Sequence, residues 1–124
     1  MDTALDQLFE TLNRELFAGC LPKYRVRTGP ARNGEYGFID EAEHTIWICQ
    51  VENLRATLLH EMCHIGTPGH GRAFRAKLRR LAALGETWAQ EERAYYLRKE
   101  RGIPLGCWAI FRKLANDEQL RWLV

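Results

Sequence analysis

Nowhere in its 124 positions does the sequence hold a run of about 18 apolar residues, which excludes a membrane-spanning helix. It opens Met1-Asp2-Thr3 with no basic-then-apolar stretch, so no secretory leader is expected and a soluble, cytoplasmic protein is the default reading. The four cysteines, Cys20, Cys49, Cys63 and Cys107, are widely scattered and never form a C-x-x-C pair. Neither a disulfide framework nor a structural zinc ribbon is therefore expected. Repeats and low-complexity tracts are lacking too, and the four prolines read as breaks between elements. A chain of this length supports one core, so a single domain over 1–124 and a monomer are the expectations.

Charge is sparse in net terms, at +2, but unevenly shared. Residues 1–70 carry 6 Lys and Arg against 10 Asp and Glu, and residues 71–124 carry 12 against 6, which gives −4 and +6. The basic half suits either a solvated helix face or contact with nucleic acid or another acidic partner.

Against this background His60-Glu61-Met62-Cys63-His64 stands out. Residues four apart on a helix lie about 40° apart around its axis, so both imidazoles can reach one cation. Leu54, Leu58, Met62 and Ile65 fall on one stripe, extended by Ala56, Leu59 and Cys63, which predicts a buried helix. An isolated carboxylate at Glu61 would be costly there, whereas one beside a metal is not. Two core histidines and a glutamate would meet this spacing by chance about 0.01 times in such a chain. Cys63 lies about 100° around the helix axis from His64 and reads as a small buried hydrophobe.

The flanking chain gives the setting. Leu5, Leu8, Phe9, Leu12 and Leu16 predict an amphipathic helix from Thr3 to Phe17 behind an Asp2 cap, ended by Gly19 and Pro22, with its polar residues facing water. Tyr24-Val26-Thr28, then Glu35 to Asp40, a polar turn at Glu41 to His44, and Thr45 to Cys49 predict a three-stranded antiparallel sheet with His44 exposed. The metal helix, with Glu52 or Asn53 near its cap, must stop at Gly66, Pro68 and Gly69, and that turn delivers His70 as a candidate third ligand. A helix opening at His70 carries Phe74, Leu78, Leu81 and Ala82 inward and ends at Gly85. Thr87 to Gln90 has the form of a capping box for another helix running to Gly102. Two short helices, around Trp108 and after Asn116, complete the expected helical C-terminal part.

Three histidines around zinc leave a fourth position for water, whose pKa falls to about 7, and Glu61 is placed as general base. This chemistry describes peptide-bond hydrolysis, the reaction that H-E-x-x-H most often signals. The wider pattern extends the point. Leu8-Phe9, Leu12 to Phe17, Gly19 and Leu21-Pro22, then Leu58 to His64, then Gly69-His70-Gly71-Arg72-Ala73-Phe74 together resemble the SprT-like domain of the SprT/Spartan metalloproteases over roughly the first 80 residues. The resemblance implies a zinc metallopeptidase with one Zn2+ held by His60, His64 and His70 and with Glu61 as catalytic base. It also implies protein substrates and a link to DNA.

Other assignments remain beside it. Metzincin proteases share the histidine spacing but need a methionine turn after the third ligand, and this chain has only Met1 and Met62. An endoribonuclease family with three histidines at the same spacing carries glycine where this chain has Glu61. Peptide deformylase would use Gly19-Cys20-Leu21, yet its glycine-rich first motif is missing. A gluzincin would take Glu86, Glu91 or Glu92 as third ligand, and a metal-binding module without turnover needs no substrate. Tyr95 or Tyr96 offers either an oxyanion donor or simple packing. The reading that joins these observations is a small α+β, zincin-like hydrolase in which a sheet edge holds an extended peptide by strand addition.

Overall fold

The computed structural model describes residues 2–30 and 34–101. The short helices expected around Trp108 and after Asn116, and Cys107, lie outside the described residues. The architecture is α+β, in the order α1 (Asp2–Leu16), β1 (Arg25–Thr28), β2 (Gly37–Asp40), β3 (Thr45–Ile48), α2 (Leu54–His64), α3 (Arg72–Ala83) and α4 (Thr87–Arg101), with a 3-10 turn over Val51–Asn53 leading into α2. No helix among the described residues is long and apolar enough to cross a membrane. The chain divides into two compact units, one running to Gly69 and the other beginning at His70.

In the first unit α1 buries Leu5, Phe9, Leu12 and Leu16 of the stripe its spacing predicts and leaves Leu8 half-buried. Not all of its polar residues face water, however. Asn13 is buried, and its amide clamps the following loop from both ends: Nδ2 donates to the Leu21 carbonyl at 3.0 Å and Oδ1 accepts from the Leu21 N–H at 3.1 Å. Asp6 reaches the sheet, accepting from the Val26 N–H at 2.9 Å and from Arg27 Nη1 at 3.0 Å. Burial alone would raise the Asp6 carboxyl. The Val26 hydrogen bond and the Arg27 guanidinium outweigh it and hold the carboxyl below its ordinary value.

The sheet corrects the all-antiparallel expectation. Its order is β1-β3-β2, with β2 antiparallel to β3 and β1 parallel to it. The tight turn after Asp40 makes β2 and β3 a hairpin, as the polar residues there predict. Strand β3, buried at Thr45, Ile46 and Ile48, takes the centre, and β1, exposed at Arg25 and Thr28, takes the far edge. With β2 between them in sequence rather than in space, β1 and β3 run the same way. Alternation of side chains reports which face a residue occupies and is silent on the direction of a neighbour.

Val26, Ile46 and Ile39 lie in one row across the sheet, and Arg27, Trp47 and Phe38 in the next. Helix α1 packs on β1, while α2 packs on β2 and β3. Gly37 permits that second contact. A Cβ there would stand 2.7 Å from the Thr57 methyl of α2 and 2.7 Å from the Trp47 carbonyl oxygen.

In the second unit α3 and α4 pack together, with Phe74, Leu78, Leu81, Ala82, Ala89, Ala94 and Leu97 buried. The capping box expected at Thr87 does not form. The carbonyl of Glu86 accepts the first helical bond from the Gln90 N–H at 3.1 Å, so the helix starts a residue earlier than expected, and Gln90 Nε2 donates to the Ala82 carbonyl at the end of α3, also at 3.1 Å.

The Asp6 link gives a stability prediction. Asp6→Ala should lower unfolding free energy by about 2 kcal/mol at pH 7, because two hydrogen bonds to a charged group are lost and the Val26 N–H is stranded. Since the folded value is depressed, this contribution is present above the ordinary carboxyl range, near pH 4, and fades as pH falls through the folded value. Urea melts of both proteins at pH 7 and pH 3 measure it; the difference between them should shrink at the lower pH.

Candidate metal centre

Helix α2 is buried at Thr57, Leu58, Leu59, Glu61, Met62 and Cys63, so its direction is fixed by apolar contact on several sides. Asn53 occupies its N-cap position but makes no side-chain capping bond, which leaves packing to place the helix. Cys63 is fully buried, as its small-hydrophobe reading requires. His60 and His64 lie one turn apart on α2, both half-buried, and Glu61 is 8% exposed between them.

The two imidazoles meet. Their Nε2 atoms are 3.2 Å apart, with ring centroids 4.9 Å apart and the rings inclined at 63°. The other nitrogen of His64, Nδ1, lies 3.1 Å from the Thr67 carbonyl oxygen. A carbonyl can only accept, so Nδ1 carries the proton and Nε2 presents its lone pair. An outer carbonyl of this kind is the usual partner of a metal-ligating histidine.

The turn after His64 supplies that carbonyl. Helix α2 ends where Ile65 becomes extended, and Gly66 and Gly69 take φ of +71° and +76°, in the left-handed region that glycine enters without strain. The Thr67 N–H donates to the His64 carbonyl at 2.8 Å, and the Gly66 N–H donates to Glu41 Oε1 at 3.2 Å. A side chain from the β2–β3 turn therefore holds the turn that orients His64. Neither Glu41 nor Thr67 was marked by the sequence, because one acts at a distance in the chain and the other through its main chain.

His70 follows this turn and is exposed. Its ligand nitrogen and those of His60 and His64 all lie within 4.8 Å of one another, and the three residues form a group that can hold a metal ion. Two nitrogens in a tetrahedral zinc shell, each roughly 2.0–2.1 Å from the metal, are about 3.3–3.4 Å apart, so the spacing of His60 and His64 fits such an ion. Glu86, Glu91 and Glu92 are not in the group. Glu92 instead accepts from Trp88 Nε1 at 3.1 Å.

His44 is exposed, as expected, and stacks on Tyr24 at 4.6 Å. Of the two tyrosines weighed as oxyanion donors, Tyr95 is exposed and Tyr96 is half-buried with its ring 6.0 Å from that of His70. Burial pushes the Tyr96 hydroxyl up to about 12, with Glu92 and Tyr95 adding to the rise and Arg75 opposing it, so it is a neutral phenol at physiological pH.

No protein-family model matches the chain, and no curated protein or solved structure is significantly similar to it.

The site predicts one equivalent of divalent metal per chain. His60→Ala or His64→Ala should weaken binding by well over tenfold, and His70→Ala by more than tenfold but less than either, because the paired nitrogens on α2 keep a chelating grip without it. Competition against a chromogenic chelator, with metal content read by elemental analysis, measures all three.

Proposed function

We propose that the chain is a zinc-dependent metallopeptidase of SprT-like type, hydrolysing peptide bonds of protein substrates in the cytoplasm. The observation that carries this reading is the pair of imidazole nitrogens 3.2 Å apart on a helix where the residue following the first histidine is a buried carboxylate. Three imidazoles suit zinc among the common divalent ions and leave a position open. Bound there, the metal supplies Lewis-acid polarisation of the scissile carbonyl and of the attacking water. Glu61 accepts the proton of that water on its carboxylate and passes it to the nitrogen of the leaving amine.

A peptide can be presented by strand addition, and the two sheet edges are unequal in this respect. On β1 the Val26 N–H is already taken by Asp6. Strand β2 lies against α2, the helix that carries the histidines, and is the edge assigned to substrate. Association with DNA is supported by α3, which exposes Arg72, Arg79 and Arg80 and contains no acidic residue. The same basic helix is the feature that favours the second reading, a three-histidine endoribonuclease; Glu61 weighs towards the peptidase.

Glu61→Gln should keep its metal and lose at least a thousandfold in casein hydrolysis, a size in keeping with removal of a general base and of its charge together. Offering an RNA substrate to both proteins separates the readings: RNA cleavage without proteolysis would replace the peptidase with the nuclease, and inertness of the metal-loaded protein towards both would leave a binding module. Duplex DNA binding that weakens with salt, with a smaller salt slope in Arg79→Ala/Arg80→Ala, would support the DNA link, and salt-independent binding would remove it.

A further inference from the structure

His70 is the ligand candidate that α2 does not hold. Being exposed and following a turn with two left-handed glycines, it would lose affinity for every orientation it samples other than the ligating one. The unit that begins at His70 contains what fixes it. Phe74, one helical turn on and fully buried, stands edge-on to the His70 ring at 4.9 Å and 79°. Tyr96, from α4, tilts against the same ring at 6.0 Å and against Phe74 at 6.4 Å. Arg75 acts on the main chain, its Nε donating to the His70 carbonyl at 3.1 Å. Its guanidinium carbon also lies 5.1 Å from the centre of the Tyr96 ring, a cation–π contact.

We propose that Arg75 and Tyr96 are positioning residues that lock His70 in its ligating orientation, Arg75 through the backbone carbonyl and Tyr96 through the ring. The inference rests on the metal-site reading above. One guanidinium serves both partners, its Nε–H donating to the carbonyl while its central carbon lies over the tyrosine ring. An ammonium group offers neither the plane nor a donor fixed in that direction. Tyr96 contributes the face of its ring here, so its hydroxyl is dispensable to this role. Sequence alone could not group these residues, because all of α3 and the first turns of α4 lie between His70 and Tyr96, and Arg75 reads as one of several cations on a basic helix.

The test is Co2+ binding to the full chain, followed by visible absorption and by competition with Zn2+. Arg75→Ala and Tyr96→Ala should each weaken metal binding about tenfold, the lower end of the effect of outer-shell changes at metal sites. Tyr96→Phe should stay within about twofold of wild type, while Arg75→Lys should behave as the alanine variant. The cobalt bands of both alanine variants should move towards the spectrum of His70→Ala. In a His70→Ala background the two alanine substitutions should have no further effect, since they act through a ligand that is no longer there. Wild-type affinity in the single variants overturns the proposal, and so does an equal loss with and without His70, which would mark general destabilisation. Failure of the metal reading looks different: wild type would bind no cobalt, or His70→Ala would bind it as wild type does, and either result overturns both.

Discussion

Two ring nitrogens held 3.2 Å apart are the constraint on which the candidate site depends. Imidazoles one helical turn apart can point in many directions, and what selects this one is a buried helix together with a carbonyl behind one ring. The helix is fixed by apolar contact around much of its circumference, and the carbonyl of Thr67 sets both the rotamer and the tautomer of His64. The Thr67 carbonyl is itself placed by a glycine turn that Glu41 ties to the sheet. The site is thus built from the outside inward, with ordinary hydrogen bonds deciding where a lone pair points.

Much of this could be read from the sequence, and the reasons are specific. The convergence of His60 and His64 was legible because helix periodicity converts a spacing of four into a shared direction. Phe74, Leu78, Leu81 and Ala82 follow the same periodicity, and all four are buried. His70 was legible from Gly66, Pro68 and Gly69, whose backbone preferences demand a reversal at that point.

What escaped was whatever depends on pairing across the chain. The parallel neighbour of β3 is set by which strand takes the centre, a matter of competition among three short strands rather than of any one pattern. Asp6 and Asn13 look like solvated positions of an amphipathic helix, yet each finds backbone partners to satisfy, one on β1 and one at Leu21. Gln90 sits where a capping box would use it and bonds instead to the end of the preceding helix. Local rules reach four residues; these contacts reach eight or twenty.

The Asp6 carboxylate also bears on how the molecule keeps its own copies apart. A short sheet with bare margins invites other chains to extend it into aggregates. Here one margin is sealed at Val26 by a side chain from the first helix, and Arg27 on the same strand is drawn into the same anionic cluster by Asp2 and Asp6. Lateral growth of the sheet is thereby discouraged on that flank, so any loosening of α1 would endanger solubility as well as folding.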